Sequence, residues 1–148
     1  LDDLGLQAFL KTSGGRGMHV VMPFDRRHDW DLARQFARSV TERLAREAPE
    51  LIVDKMGPQN RVGRIFVDYL RNQRGASTVA AYSVRARPGL AVSVPVEREE
   101  LAQLERADRW NIGNLDERLR ALRSDPWARY GAVRQGLTQA LLKRLEKG

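Results

Sequence analysis

Three groups of residues have types and spacings that can do chemistry. The first is the stretch TSGGRGMHV, Thr12–Val20. Adjacent glycines at 14 and 15 and a third at 17 let the backbone turn tightly with amides exposed to an anion. Ser13 adds a hydroxyl, Arg16 a planar cation, and His19 follows one residue into the next apolar run. The loop is not a P-loop, because Gly-Lys-Ser/Thr is missing and a strand follows where a P-loop has a helix. It reads either as a phosphate cradle or as a glycine-rich connection with an exposed arginine. The second group is Asp68 in RIFVDYL, a carboxylate inside an otherwise apolar run. A carboxylate in a central strand needs a cation, so Asp68 is a candidate ligand for Mg2+ or Mn2+, or else the partner of Arg71 or Arg85, or a residue on an exposed face of the strand. The third group is Arg85 and Arg87, with Arg71 upstream. On a strand, residues two apart share a face, and two adjacent guanidinium groups favour an anion between them; a solvated edge is the alternative.

The elements that must position these groups follow from periodicity. Residues 1–10 read as the end of a helix with Leu4, Leu6, Phe9 and Leu10 apolar, and Met18–Phe24 as a short strand. A helix is predicted from about Asp29, its N-cap, to Ala48 before Pro49, with Leu32, Phe36, Val40 and Leu44 four apart. Arg64–Leu70 and Ser77–Arg87 read as an antiparallel strand pair, the first central, and Val92–Val96 as a shorter extended piece. Helices are predicted over 97–106, 115–122 and 129–145, the last with Val133, Leu137, Leu141 and Leu145 in line. This order predicts an α+β fold, mainly an antiparallel sheet packed with helices, with a sheet-containing part over 1–96 and a helical part over 97–148. Trp30, Trp110 and Trp127 read as core or helix-packing residues, and His28 as a surface or helix-start residue.

Composition narrows the function classes. The 148 residues, 42% of them hydrophobic, suffice for one core and exclude disorder. No apolar run approaches the roughly 18 residues of a membrane span, and the acidic N-terminus is unlike a signal peptide, so a cytoplasmic protein without membrane partners is expected. The absence of cysteine removes disulfides, thiolate zinc sites and cysteine nucleophiles, and two histidines are too few for a His-rich metal centre. The net charge of +7 comes from 22 Arg and 4 Lys against 19 acidic residues. Residues 54–87 hold seven basic and two acidic residues, which points to a polyanionic partner there.

Taken in order, TSGGRGMHV, RIFVDYLRNQRG and STVAAYSVRARPG, with SDPW at Ser124–Trp127, resemble the polymerase domain of bacterial ligase D. That domain is the repair polymerase of non-homologous end joining, within the archaeo-eukaryotic primase superfamily. The resemblance implies a primase-type palm. It assigns Asp68 as a catalytic metal-binding carboxylate, and Ser13, Arg16, His19, Arg85 and Arg87 as binders of the incoming nucleotide's triphosphate. It places Arg71 near the DNA primer-template. It further implies Mn2+ or Mg2+ as cofactor, NTP or dNTP and DNA ends as ligands, Ku and a ligase domain as partners, and a location at the bacterial nucleoid.

One departure stands out. The family's other two metal ligands form an Asp-x-Asp pair ahead of the glycine-rich stretch, whereas Asp2 and Asp3 are adjacent and would point to opposite faces of a strand. With Leu1 in place of Met, the chain therefore reads as the C-terminal half of the polymerase domain, a single partial domain inactive by itself. Two other readings stay open: a non-catalytic module that binds nucleic acid or nucleotide, and a replicative or plasmid primase.

Overall fold

The computed structural model describes residues 1–147 and divides into two compact units. The first unit comprises Leu1–Pro23 and Val79–Gln135. Its sheet has the order β2-β1-β5, from β1 (Phe9–Thr12), β2 (Met18–Val21) and β5 (Pro95–Val96), all antiparallel. The register sets Lys11 opposite His19 and Thr12 opposite Met18. Thr12 is fully buried and ties β1 to the extended segment before β5: its amide donates to the Val94 carbonyl at 2.9 Å and its hydroxyl accepts from the Val94 amide at 2.9 Å. Val92, Val94, Val96 and Trp110 form the core beneath. Beyond β5, Glu97 and Glu100 form a reciprocal capping box that starts a 3₁₀ stretch, Arg98–Gln103. Helix α2 (Leu115–Ala121) carries Arg118, which pairs with Glu100 and lies 4.9 Å over the Trp110 ring. Trp127 donates its indole N–H to the Leu10 carbonyl at 2.9 Å and stacks on Tyr130. The packing roles expected of Trp110 and Trp127 are thus observed.

The second unit comprises Phe24–Thr78 and the chain from Gly136 onward. Helix α1 (Trp30–Glu47) is capped as its sequence predicts, the Asp29 carboxylate accepting from the Leu32 amide at 2.8 Å. Phe36 is buried and meets Phe24 edge to face, and the ion pairs Arg38–Glu42 and Arg43–Glu47 run along the helix at i,i+4 spacing. Helix α3 (Gln139–Lys147) packs on α1 through a buried Leu142 and Leu145. Two short parallel strands, β3 (Ile52–Val53) and β4 (Ile65–Phe66), complete the unit.

Several expected elements are corrected, each for a local reason. The first ten residues are a 3₁₀ turn, Asp2–Leu4, ended by Gly5 at φ 70°, followed by β1. The expected strand over 64–70 shrinks to Ile65–Phe66, because the Asp68 carboxylate accepts from the Leu70 amide at 3.1 Å and turns the chain. The segment 77–87 is not a strand paired with 64–70. Tyr82 adopts φ 60° and breaks it, and its amides bond instead to 91–93, Tyr82 to Ser93 at 2.6 Å and Arg85 to Ala91 at 2.7 Å. The C-terminal helix begins at Gln139 instead of 129, where the Thr138 hydroxyl caps the Leu141 amide at 3.2 Å. Trp30, expected to pack, is 57% exposed. No helix among the described residues is long and apolar enough to cross a membrane.

Candidate functional site

The glycine-rich loop between β1 and β2 is held shut from inside. Ser13 is buried, and its Oγ accepts from the Gly15 amide at 3.1 Å and the Gly17 amide at 3.2 Å, while its own amide donates to the Gly17 carbonyl at 2.9 Å. Two of the amides that composition offers to an anion are therefore already used. With both Oγ lone pairs occupied, the hydroxyl proton is what Ser13 has left to give, and Ser13 is a fixed donor. The amides of Gly14 and Arg16 have no partner among the described residues, and the Arg16 side chain is exposed.

The two arginines reach this loop by a route other than the expected strand. Arg85 donates its amide to Ala91, Arg87 donates to the Arg85 carbonyl at 2.7 Å, and Leu90 donates to the Arg87 carbonyl at 2.9 Å, so tight turns carry both residues back towards Ser13–Gly15. Gly14 has φ 62°, and a Cβ on it would lie 2.8 Å from the Arg85 Cγ and 3.2 Å from the Ala91 carbonyl oxygen. A Cβ on Gly15 would lie 3.4 Å from an Arg87 guanidinium nitrogen. Glycine is thus needed at position 14 twice over, for its left-handed backbone and for the close passage of Arg85. Arg85 is half-buried and Arg87 exposed, and neither is in an ion pair among the described residues.

Beside the loop lies Lys11, a residue that composition and motif do not single out. It is only 2% exposed, and its ammonium meets three acceptors: His19 Nδ1 at 2.8 Å, the Val79 carbonyl at 2.7 Å and Ser93 Oγ at 2.9 Å. Burial and, secondarily, the Arg85 charge push its pKa down to about 8. The available signal was a lysine set directly before TSGG in an apolar strand, in a chain with only 4 Lys. Arg85 and Arg87 thus meet the loop that carries Arg16, with Lys11 buried beside it, and none of the four is in an ion pair among the described residues. Such a loop suits an anion with several oxygens, and a polyphosphate best.

Asp68 and Arg71 lie in the second unit and bond to each other, Arg71 Nε to Asp68 Oδ2 at 3.1 Å, with the Arg71 side chain 70% and the Asp68 side chain 37% exposed. Asp68 is therefore not a buried carboxylate of a central strand but the turn-forming residue just after β4. Among the described residues, no three His, Asp or Glu side chains converge as a metal site needs. The donor set of this chain does not by itself fit two divalent ions: Asp68 offers one carboxylate, and that is bonded to an arginine and an amide.

Comparison with known proteins bears on what this architecture is. The family model described as the LigD primase-polymerase domain matches residues 1–127. The multifunctional non-homologous end joining protein LigD of Pseudomonas aeruginosa is 58% identical over 149 residues, covering 100% of this chain and 18% of that protein. The LigD of Mycobacterium tuberculosis is 36% identical over 101 residues, covering 68% of this chain and 13% of that protein. Among solved structures, the polymerase domain of Mycobacterium tuberculosis ligase D, in complex with DNA, superimposes with a TM-score of 0.66 at 29% identity, over 99% of this chain and 42% of that one. The chain thus spans under a fifth of the Pseudomonas relative's length. With an α+β fold like that of the solved polymerase domain, it belongs to the LigD primase-polymerase domain family.

Proposed function

We propose that this chain supplies the nucleotide-holding part of a primase-type nucleotidyltransferase that adds nucleotides to DNA 3′ ends in bacterial non-homologous end joining. The observation that carries the reading is the convergence of Arg85 and Arg87 on the Ser13–Gly15 turn, with Gly14 too close to Arg85 to bear a side chain. In this reading the triphosphate of an NTP or dNTP lies against the turn. The Ser13 hydroxyl and the Gly14 and Arg16 amides donate to its oxygens, and Arg16, Arg85 and Arg87 neutralise charge that grows on the phosphates as the bond to the leaving pyrophosphate breaks. His19 adds a ring donor. Because the turn is already closed by Ser13, little reorganisation accompanies binding.

The same reading gives Asp68 the role of one metal-binding carboxylate for Mn2+ or Mg2+, beside an Asp-x-Asp pair such as the family carries, and gives Arg71 a place near the primer-template. The DNA in the solved Mycobacterium relative supports a DNA substrate. Ku and a ligase domain are the expected partners in the bacterial cytoplasm. A second reading, a binding module without catalysis, is favoured by the Arg71 contact that occupies Asp68.

Substituting Asp68→Ala in the full-length protein separates the two. On the leading reading, nucleotide addition falls by at least about 10³-fold while the protein stays folded, since the carboxylate's contacts with Arg71 and the Leu70 amide are exposed. Polymerisation near the wild-type rate in the variant would overturn that assignment. No addition by the wild type, with DNA affinity retained and strongly salt-dependent, would favour the binding module.

A further inference from the structure

Arg85 and Arg87 ride on a hairpin-like arm, and one buried side chain holds both limbs of it. An antiparallel bridge joins Val84 to Val92, and amides bond across the arm from Tyr82 to the Ser93 carbonyl at 2.6 Å and from Arg85 to the Ala91 carbonyl at 2.7 Å. Both arginines lie towards its tip. Lys11 reaches the base of the arm from β1: its ammonium donates to the Val79 carbonyl at 2.7 Å on the outgoing limb and to Ser93 Oγ at 2.9 Å on the returning one. Ser93 Oγ in turn donates to the Thr12 carbonyl at 2.6 Å, which closes the returning limb onto β1.

Two residues show that the base of this arm needs holding. Tyr82, three after Val79, has φ 60°, and Leu90, three before Ser93, has φ 45°. Left-handed backbone at residues other than glycine persists only where the surroundings over-determine it. The passage of Arg85 past the glycine turn also leaves no slack, since a Cβ on Gly14 would lie 2.8 Å from the Arg85 Cγ. Lys11 is 2% exposed and in no ion pair among the described residues, so nothing of opposite charge offsets its burial. An apolar side chain would fill the same volume without that penalty, but it could not bond two limbs at once.

We propose that Lys11 is a positioning residue for the nucleotide site, a clasp across the base of the 79–93 arm that sets Arg85 against the Gly14 turn. Its purpose rests on Arg85 being a triphosphate ligand; the clasp itself rests only on the bonds to Val79 and Ser93. The remaining contact of the ammonium is with His19 Nδ1 at 2.8 Å, so its three donor directions are taken and Lys11 acts on a ligand through Arg85.

The test is a double-mutant cycle read by calorimetric titration of inorganic tripolyphosphate into the full 148-residue chain, at a temperature well below the unfolding transition of every variant. Lys11→Met is expected to weaken binding about tenfold with Arg85 in place and by less than about twofold in an Arg85→Ala background, where the clasp has no arginine to place. Ser93→Ala repeats the cycle with the ammonium charge kept and the returning limb released, and it carries the test by itself should Lys11→Met not fold. A loss of about threefold, confined to the chain that retains Arg85, is expected for it. Equal losses from Lys11→Met in both backgrounds, or no loss from Ser93→Ala, would overturn the clasp while leaving the nucleotide reading intact. No binding by the wild type, or wild-type affinity in Arg85→Ala, would overturn the nucleotide reading and with it the purpose of the clasp.

Discussion

The Ser13–His19 region and the Asp68 region were both marked by their residue types, yet they are built in opposite ways. The first is pre-set: a buried hydroxyl closes the turn, a buried lysine bonds to the histidine, and a left-handed glycine makes room for Arg85. The second is a surface turn after a two-residue strand, whose carboxylate is bonded to an exposed arginine. The difference teaches where each region's free energy lies. The phosphate side spends stability on a fixed anion receptor, so its mutations should cost both fold and affinity. The carboxylate side costs the fold almost nothing, so its mutations should separate activity from stability.

That contrast can be broken at several points. The largest stability effect is expected for Lys11→Met, which strands a carbonyl, a hydroxyl and a ring nitrogen in a buried setting and should cost about 3 kcal/mol in denaturant unfolding. Gly14→Ala comes next at about 2 kcal/mol, from a left-handed backbone and a Cβ 2.8 Å from Arg85 Cγ, with phosphate affinity lowered in parallel. A stability loss under about 0.5 kcal/mol there would mean that the Arg85 passage is looser than described.

The pH dependence sharpens the same point. Lys11 has a folded pKa of about 8 against an ordinary 10.5, so between these values the unfolded chain binds more protons than the folded one. Its contribution to stability therefore rises as pH increases through that window, is complete above 10.5, and is lost as pH falls through about 8. Stability curves of wild type and Lys11→Met should differ in slope in this window only; parallel curves would contradict a buried ammonium. The smallest effect belongs to the other region: Asp68→Ala should shift unfolding by less than about 1 kcal/mol, as an exposed ion pair and one exposed turn bond allow.

What was legible in the sequence follows the range of the interactions. The α1 helix was readable from Asp29 to Ala48 because its cap and apolar spacing are local. The strand at Met18–Val21 and the tight glycine turn were readable for the same reason. The apolar run 64–70 misled, because a single Asx-type contact at Asp68 ends the strand two residues earlier, and Tyr82 at φ 60° is a conformation that no residue pattern announces. Of the three arginines grouped by sequence, Arg71 lies in the second unit while Arg85 and Arg87 lie in the first, and the meeting of these two with Gly14 and Gly15 depends on hydrogen bonds to 91–93 that are set by tertiary packing. Lys11 was missed because a lone lysine in a strand ordinarily snorkels to water; only the cross-strand register with His19 and the approach of Ser93 show that it does not. The charged stretch 54–87 was read as one feature, yet its last two arginines belong to the first unit and its other five basic residues to the second.

The central claim is that the Ser13–Gly15 turn with Arg85 and Arg87 is a triphosphate receptor. Calorimetric titration of ATP into the full chain, without added divalent ion, tests it most directly when wild type is compared with Arg85→Ala and Arg71→Ala. The account predicts that Arg85→Ala weakens binding by at least about tenfold while Arg71→Ala leaves it within about twofold of wild type. Wild-type affinity in Arg85→Ala, or an equal loss in Arg71→Ala, would contradict it.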